Sequence, residues 1–600
     1  TNHLDSAIIA ADDCNMPDSP ENNFCTLNPN GRRYGQSYVG TFTEGNLKAA
    51  GGGNATHIWG SMAINQIASQ GGVYFEVRMD STDANRSYGG VIGDNGVNNK
   101  NSAANGAAYS FPIKGLIGLM PNPRGYFTTD TDSSGSLDLT SNDDFVNGDV
   151  VGFAILSDGK FFVHNDGTYL DNADGNTGNP STGANPIATI DLTLGDWVPY
   201  VGYNSTFSVN FGQDGTFSGQ ETSGGNQDAN GIGDFMFAVP TNCLAICSSN
   251  MAEPTIGPNS GANNQSDDYF NTVLYTGTGS SQAITGVGFQ PDWVWTKGRS
   301  VAYSHYLFDS SRGVQKRLMT NNTNAEDTLS NGLTAFGTDG FTHGGEAGMG
   351  NNGDTFVAWN WKANGGTATA TISESGNNPA AVVQANPTAG FSLITYTGTG
   401  ALGTIAHGLD TAPKMMIIKN RDATDAWNVF HSEKGNTHAF YLNLTQTPDD
   451  NTSFWNDTSP TSSVFTINTD HGVNADGEKY VAYVFAEVEG YSKFGTYEGT
   501  DTAPPGGAFV YLGFRPKYIL IKNIDHAFEW LVYDTTRTTI NVTSDWSRPN
   551  TNEVDYAATT DAIDVLSNGF KIRSDWTRTN YQSIIYMAFA EQPFKYSNAR

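Results

Sequence analysis

The sequence predicts an all-β protein in which an N-terminal β-sandwich is followed by three tandem homologous β-sandwich repeats. Gly makes up 69 of the 600 residues, charged residues only 15 % and aromatic residues 12 %, a composition that favours turn-rich β-structure. Short runs of alternating apolar and polar residues recur between Gly, Asn and Asp, and no apolar pattern of helical spacing reaches a useful length. A set of short motifs also occurs three times in the second half of the chain.

The first half of the chain carries the strand patterns of one sandwich. Residues 1–30 are polar and without clear periodicity, so we expect a connecting arm there. Residues 31–247 form the predicted sandwich; in GVYFEVRMD (72–80), the apolar residues alternate and share one face of a strand. Further strands are expected at VVGFAIL (150–156), KFFVHNDG (160–167), DWVPYVGY (196–203) and FSVNFG (207–212).

Three landmarks then recur in the same order. The first is YTGTG at 275–279 and 396–400, which becomes YEGT at 497–500. The second is a Pro-led strand that ends in Lys, and the third is a closing aromatic strand. The copies of the second are GFQPDWVWTK (288–297), GLDTAPKMMIIK (408–419) and GFRPKYILIK (513–522); those of the third are TFVAWNW (355–361), KYVAYVFAEV (479–488) and SIIYMAFAEQ (583–592).

These landmarks divide the second half into whole domains, because units of about 100 residues are too long for solenoid turns. Residues 248–268 are rich in Gly, Asn, Ser and Pro and read as a linker, and 367–390 as a connector. The predicted repeats are 269–366, 391–494 and 495–600, with one strand order in all three.

Two details of the repeats carry further expectations. Phe289, Leu409 and Phe514 stand at the same place before the Pro-led strand, so all three are expected to be buried. A DSSR or DTTR turn follows in the first and third repeats, at 309–312 and 534–537, whereas the second repeat has HSEK (431–434).

Charge and cysteine content exclude several classes of protein. Acidic residues outnumber basic ones 61 to 31, a net charge of −30, so the chain has no basic face for nucleic acid. No run of 18 apolar residues is present, which excludes a membrane-spanning helix.

The four Cys residues are too few for a disulfide framework, and no His residues stand beside them at zinc-finger spacing. A disulfide bridge between Cys14 and Cys25 stays open. Because the chain starts at Thr1, we expect it to begin inside a longer polypeptide or after removal of a leader.

Two sets of motifs resemble known families. The order GDVVGFAILSDGKFFVHNDGTYL (148–170), GDWVPYVGY (195–203) and VNFGQ (209–213) resembles the SPRY branch of the concanavalin-like sandwiches. NFCTLNPN (23–30) and AEQPFKYSNAR (590–600), with EPTI in the linker and the Pro-led strands, resemble fibre or tail-associated virion proteins of marine bacteriophages, particularly those infecting cyanobacteria.

The second resemblance implies a functional setting. It implies a phage virion protein assembled in the host cytoplasm, docked to other virion proteins through its N-terminal side, trimeric, and facing a host receptor. We therefore expect a non-enzymatic tail fibre acting in host attachment, with surface glycans as the candidate receptor. A capsid head fibre or decoration protein, a secreted carbohydrate-binding protein or glycosidase, and a bacterial surface adhesin stay open.

Motifs for catalysis are absent from the sequence. A retaining glycosidase needs two carboxyl groups about 5–5.5 Å apart, and the usual signature of the concanavalin-like members places Glu, Asp and Glu at alternating positions of one strand. The nearest approach is Glu553 and Asp555, in the third repeat and without the third carboxylate. No GxSxG, HExxH or P-loop motif is present. We expect no enzyme.

One acidic segment has the spacing of a calcium loop. In DTDSSGSLD, Asp130, Asp132, Ser134 and Asp138 stand at positions 1, 3, 5 and 9, and position 6 is Gly. Position 12 is Ser141 instead of Glu. The alternative is a polar loop between strands, so the cofactor expectation is none or Ca²⁺.

Tryptophan pairs mark two further candidates. Trp293 and Trp295, like Trp359 and Trp361, share a strand face and are expected in the core or at a subunit interface, with a sugar-stacking stripe as the alternative.

The other candidate is a heptapeptide duplicated only in the third repeat, SDWSRPN (544–550) and SDWTRTN (574–580). A Trp plate flanked by planar polar groups is the chemistry that grips sugar rings. We therefore expect an exposed receptor-binding surface, with a Trp–Arg pair that stiffens adjacent strands as the alternative. Its residues are Trp546, Trp576, Asp545, Asp575, Arg548 and Arg578.

Overall fold

The chain folds into two compact units, residues 1–253 and 254–598. A computed structural model describes residues 22–29, 40–51, 57–81, 87–93, 116–119, 124–128, 134–138, 146–172, 174–193, 196–203, 205–260, 264–501, 507–557, 561–574 and 576–596. The all-β prediction is confirmed, with several sandwich sheets, 43 % strand and, within these described ranges, no helix of seven or more residues. In the part of the chain described, no helix is long and apolar enough to cross a membrane.

Unit 1 contains two antiparallel-dominated sheets. In the first, the strand order is β1-β2-β14-β4-β9-β10-β11, with β12 beside β10 and β15 parallel to β4. Its strands are β1 (Thr41–Thr43), β2 (Lys48–Ala50), β4 (Gly72–Ser81), β9 (Val150–Ile155), β10 (Lys160–Asn165), β11 (Thr168–Tyr169), β12 (Ala188–Thr189), β14 (Thr206–Asn210) and β15 (Cys243–Ala245). The second has the order β3-β13-β5-β6-β7-β8. Its strands are β3 (His57–Trp59), β5 (Ser87–Gly93), β6 (Leu116–Leu119), β7 (Arg124–Thr128), β8 (Ser134–Asp138) and β13 (Trp197–Tyr203).

Part of the predicted arm belongs to the core of unit 1. Phe24 forms a β-bridge with Cys247 and is 4 % exposed, and the N–H of Cys25 donates to the carbonyl of Ile246 at 2.8 Å. Residues 23–28 of the predicted connecting arm are therefore part of the sandwich, because their backbone groups and apolar side chains are paired or buried there. Cys25, Cys243 and Cys247 are free thiols; Cys14 lies outside the described residues.

A polar network is buried on the inner strands of unit 1. The Tyr74 hydroxyl contacts Glu76 Oε1 at 3.0 Å and His164 Nε2 at 2.7 Å. Glu76 also accepts from Asn210 Nδ2 and from the N–H groups of Met236 and Phe237. Burial raises the pKa of Glu76 to about 7, against the lowering by these hydrogen bonds, and lowers the pKa of His164 to about 4. The network ties the sheet to the segment that precedes β15.

Unit 2 contains three main sheets with the same strand order. The order is β16-β24-β18-β19-β20-β21 in the first repeat, β27-β34-β29-β30-β31-β32 in the second and β35-β43-β37-β38-β39-β40 in the third. In each, the closing aromatic strand lies between the first strand and the Pro-led strand.

The strands of the first main sheet are β16 (Phe270–Thr276), β18 (Trp293–Gly298), β19 (Tyr306–Asp309), β20 (Lys316–Met319), β21 (Asp327–Thr328) and β24 (Thr355–Trp361). Those of the second are β25 (Ala370–Ile372), β26 (Ala381–Asn386), β27 (Phe391–Thr397), β29 (Met415–Asn420), β30 (Trp427–His431), β31 (His438–Tyr441), β32 (Asp449–Asp450) and β34 (Lys479–Phe485). Those of the third are β35 (Ser492–Thr500), β37 (Phe514–Asn523), β38 (Leu531–Asp534), β39 (Asp545–Ser547), β40 (Tyr556–Ala557) and β43 (Tyr581–Pro593).

A small sheet accompanies each main sheet, in the orders β17-β23-β22, β28-β33 and β36-β42-β41. These strands are β17 (Gln282–Thr285), β22 (Leu333–Gly337), β23 (Gly340–His343), β28 (Gly403–Ala406), β33 (Val464–Ile467), β36 (Phe509–Tyr511), β41 (Ile563–Leu566) and β42 (Gly569–Ile572). The described helices are single turns at Asn65–Ala68, Ala347–Gly350, Thr452–Trp455, His471–Asn474 and Thr577–Asn580, with 3-10 turns at Glu44–Asn46, Ser248–Asn250, Ser266–Asp268 and Phe594–Tyr596.

The predicted connector and linker are also part of folded units. Residues 367–390 contribute β25 and β26, which extend the second main sheet beyond β27. Within 248–268, Met251 is buried in unit 1 and Ile256 in unit 2, at 5 % and 0 % exposure. Composition misjudged these segments because a few apolar residues fix each of them.

The three repeats close into a ring around one shared core. Each pair of repeats is in aromatic contact: Trp293 with Tyr483 at 4.6 Å between ring centroids, Phe485 with Phe589 at 6.1 Å, and Phe270 with Phe589 at 5.3 Å. The four Trp of the two sequence pairs lie in this core and are fully buried, which confirms the core interpretation. Phe289, Leu409 and Phe514 are buried as predicted, at 4 %, 2 % and 0 % exposure.

Candidate functional site in the third repeat

The described part of the predicted calcium loop, residues 134–138, forms a strand. Ser134 and Asp138 begin and end β8, which pairs with β7 in the register Thr128 to Ser134 and Arg124 to Asp138. An extended strand places these two positions about 13 Å apart, so the chain does not curl around an ion there. Asp130 and Asp132 lie outside the described residues. No group of metal-ligating side chains occurs among the residues described.

The two copies of the heptapeptide do come together. Trp546 lies on β39, Arg548 follows it on the same face, and Trp576 and Arg578 lie at the single-turn helix before β43. The Arg578 guanidinium carbon is 5.8 Å from the Trp546 ring centroid and 4.7 Å from that of Trp576. These residues, with Tyr556, Glu529, Glu553 and Asp561, are called the Trp–Arg cluster.

Trp546 forms the buried base of the Trp–Arg cluster. It pairs across the strands with Tyr556, and the two rings stack at 4.2 Å with an angle of 6°. Arg548 lies over both rings, at 5.1 Å from Trp546 and 4.3 Å from Tyr556. Trp546 is therefore only 2 % exposed, and the expectation that its indole is exposed is wrong.

Trp576 forms the open edge of the cluster. Its side chain is 44 % exposed, which makes it one of the few large exposed hydrophobic side chains among the described residues. Arg578 lies against the indole by a cation–π contact. An exposed indole beside an ordered guanidinium can stack on the apolar face of a ligand and donate hydrogen bonds at its edge.

Three carboxyl groups surround the two arginines. Glu529 lies between them, 3.4 Å from Arg548 Nη1 and 3.5 Å from Arg578 Nη1. Glu553 accepts from Arg548 at 2.7 Å and from the Tyr556 hydroxyl at 2.6 Å. Asp561 is 3.6 Å from Arg578 Nε, and burial raises its pKa to about 6.

Several buried polar atoms of the cluster have no hydrogen-bond partner among the described residues. They are three donors, Trp546 Nε1, Arg548 Nε and Arg578 Nε, and one acceptor, Asp561 Oδ1. Buried polar groups are nearly always paired in proteins. These four atoms lie together in the cluster, beside the exposed indole of Trp576.

Two predicted members do not belong to the cluster as described. Asp545 alternates with Trp546 along β39 and faces Arg299 of the first repeat, at 3.6 Å. Asp575 lies outside the described residues. The sequence does not identify Glu529, Tyr556 and Asp561 as members. Tyr556 reaches Trp546 only because β39 pairs with β40, and the spacing of the residues along the chain does not show that pairing.

Comparison with known proteins assigns the region that holds the cluster. A model described as a domain of unknown function, DUF7483, matches residues 265–593. The chain belongs to this family. The DUF7483 match covers all three repeats and the whole Trp–Arg cluster.

Several solved structures are similar to part of the chain. One of them is the PSpry domain of TRIM65, with 11 % identity, 31 % of this chain and 89 % of that chain covered, and a TM-score of 0.20. No curated protein matches the chain. The all-β assignment of unit 1 rests on its own two sheets.

Proposed function

We propose that the protein is a non-enzymatic attachment protein of a phage particle that binds host-surface glycans through the Trp–Arg cluster. The observation that carries the proposal is the exposed indole of Trp576, held against Arg578 next to unpartnered buried polar groups. Stacking on one face and hydrogen bonds around it are the interactions that a sugar ring offers.

Glu553 and Asp555, the two carboxyl groups closest to a glycosidase signature, have contacts that fit a binding protein better than a catalyst. Asp555 accepts from Arg299 Nε at 2.9 Å and from Arg537 Nη1 at 3.1 Å. Glu553 is bound to Arg548 and Tyr556. Both carboxylates are therefore held in structural contacts, and the pKa of Asp555 is lowered by its arginines and by Ser547 against burial.

The phage setting is proposed from the sequence resemblance. It places the N-terminal side against other virion proteins, most simply in a tail fibre, and implies a homotrimer. The two Trp pairs, for which a subunit interface is one expectation, lie inside the ring of unit 2. Contacts between subunits would therefore use other surfaces.

Binding of the full chain to an array of bacterial surface glycans tests the proposal. Trp576→Ala should weaken binding about 30-fold, equivalent to about 2 kcal/mol for a central stacking contact, whereas Trp576→Phe should retain most of it. Arg317→Ala is the matched control, since Arg317 also lies over an aromatic ring, that of Tyr306, but is paired with Asp327 in the first repeat. Equal binding by Trp576→Ala and the native chain would contradict the proposal.

A further inference from the structure

The charges of the Trp–Arg cluster bear on the kind of glycan it accepts. Two guanidinium groups, of Arg548 and Arg578, face three carboxyl groups, of Glu529, Glu553 and Asp561. The cluster therefore carries no surplus of positive charge, and the chain as a whole carries −30. A carboxylate or sulfate added to this site would meet like charges at short range, which disfavours acidic sugars.

The unpartnered atoms require a group that both donates and accepts hydrogen bonds. Three of them are donors and one is an acceptor, and Trp546 and Asp561 are 2 % and 1 % exposed. A carboxylate only accepts and an ammonium group only donates. A hydroxyl group does both, so adjacent hydroxyls match this mixed set.

Arg578 is the residue best placed to engage a neutral group. Its contacts with Glu529 and Asp561 measure 3.5 Å and 3.6 Å, longer than the roughly 2.7–2.9 Å of a strong charge-assisted hydrogen bond. Only 10 % of the Arg578 side chain is exposed. The guanidinium can therefore donate to a ligand without breaking a short ion pair.

We infer that the ligand is a neutral glycan whose ring face packs on Trp576 and whose adjacent hydroxyl groups bind between Arg578 and Asp561. This inference rests on the proposed function and narrows its ligand class. Asp561 accepts a hydrogen bond from one hydroxyl at Oδ1, and Arg578 donates its Nε–H to the neighbouring hydroxyl. Glu553, which is 47 % exposed in its side chain, repels acidic sugars at the open side.

Calorimetric titration of the full chain with neutral and acidic polysaccharides tests this assignment. The neutral probes are dextran, mannan and galactan; the acidic probes are alginate and polygalacturonate. At least one neutral probe should bind at least tenfold more tightly than either acidic probe at low salt. Asp561→Asn should weaken that binding at least tenfold, and Arg317→Ala should leave it unchanged.

A second variant addresses discrimination directly. Glu553→Gln removes one negative charge from the exposed side and should narrow the difference in binding affinity between neutral and acidic probes. Thermal melting checks that the variant folds. Tighter binding of an acidic probe by the native chain, lost in Trp576→Ala, would overturn this inference and leave the proposed function standing. Absence of binding to every probe would overturn both.

Discussion

The hydroxyl of Tyr483 donates to Oδ2 of Asp309 at 2.7 Å, across the boundary between the second and first repeats. At the boundary of the first and third repeats, Trp359 Nε1 donates to Asp534 at 3.0 Å in the same way. Strand register gives the corresponding pair at the remaining boundary as His431 and Met587. Met587 has no proton to donate, and there the acidic residue is replaced by histidine.

At this boundary the hydrogen bond runs in the opposite direction, because His431 donates to the neighbouring repeat, whereas Asp309 and Asp534 accept from it. His431 Nδ1 accepts from the N–H of Glu433, so Nε2 carries the proton and donates to the carbonyl of Tyr586 at 3.1 Å. Burial lowers the pKa of His431 to about 4, which keeps the ring neutral. The second repeat has His431, the first residue of HSEK, in place of the Asp of the other two repeats, and this change fits Met587 of the third repeat, which cannot donate a hydrogen bond.

Tyr483→Phe should destabilise unit 2 by about 1–3 kcal/mol, because the buried Asp309 carboxylate loses a donor. Urea unfolding of the full chain measures the change. Tyr396→Phe is the matched control, since Tyr396 is also buried but donates to the neutral carbonyl of Val473 within one repeat; it should cost about 1 kcal/mol. A Tyr483→Phe effect no larger than the control effect would contradict a special role at the boundary.

His431→Asp should be strongly destabilising, by about 3–5 kcal/mol, because it places a buried carboxylate opposite Met587. Adding Met587→Tyr supplies the donor that Tyr483 gives at the other boundary. The loss in free energy of unfolding of the double variant should therefore be about 1–3 kcal/mol smaller than the sum of the losses of the two single variants. Additive urea-unfolding energies would argue against matched boundary pairs.

Much of the fold follows from the sequence, and the exceptions have physical causes. Alternating runs and recurring landmarks predict β4, β18, β24 and their counterparts because one side of each strand must be buried. Ring closure is not predictable in this way: the contact of Trp293 with Tyr483 depends on how whole sheets pack. The spacing of acidic residues predicts a calcium loop, but it does not show that Ser134–Asp138 pairs as a strand with β7.

The buried pair of Glu76 and His164 should give two opposite pH dependences in unit 1. Glu76 has a folded pKa of about 7, raised by burial, so its contribution to stability is lost as pH rises from about 4.5 to 7. His164 has a folded pKa of about 4, lowered by burial, so stability is lost as pH falls from about 6.5 to 4. Each amounts to about 3 kcal/mol, and in the native chain they largely offset each other.

Single variants should separate the two effects. Relative to the native chain, Glu76→Gln should gain stability as pH rises from 4.5 to 7, and His164→Gln should gain stability as pH falls from 6.5 to 4. Urea unfolding at several pH values between 4.5 and 7.5 measures both. Parallel pH profiles for the native chain and both variants would show that this network does not titrate as described.

The two tryptophans of the Trp–Arg cluster should differ in their effect on stability. Trp546→Ala removes a buried ring stacked on Tyr556 and should lower the free energy of unfolding by about 3–5 kcal/mol. Trp576→Ala removes an exposed side chain and should change it by no more than about 0.5 kcal/mol. Thermal or urea unfolding distinguishes them, and a large loss for Trp576→Ala would mean that this residue is structural.

For the candidate site, the sequence shows the duplicated letters but not their roles. Both heptapeptides contribute an Arg to one cluster, yet only one of the two Trp residues is exposed. The difference arises because Trp546 lies on a paired strand and is covered by Tyr556 and Arg548, whereas Trp576 stands at the start of a single helical turn. Neither the cross-strand partner nor Asp561 is signalled by the motif.

Fluorine NMR of the full chain, with its 11 Trp residues replaced by 5-fluorotryptophan, tests most directly whether the Trp–Arg cluster binds glycans. Trp576→Phe assigns the Trp576 resonance by its disappearance. On titration with the tightest-binding neutral polysaccharide, the Trp576 resonance should shift most, while the resonances of the ring core stay in place. Saturable binding that leaves the Trp576 resonance unmoved, or that shifts a tryptophan of unit 1 instead, would contradict the assignment.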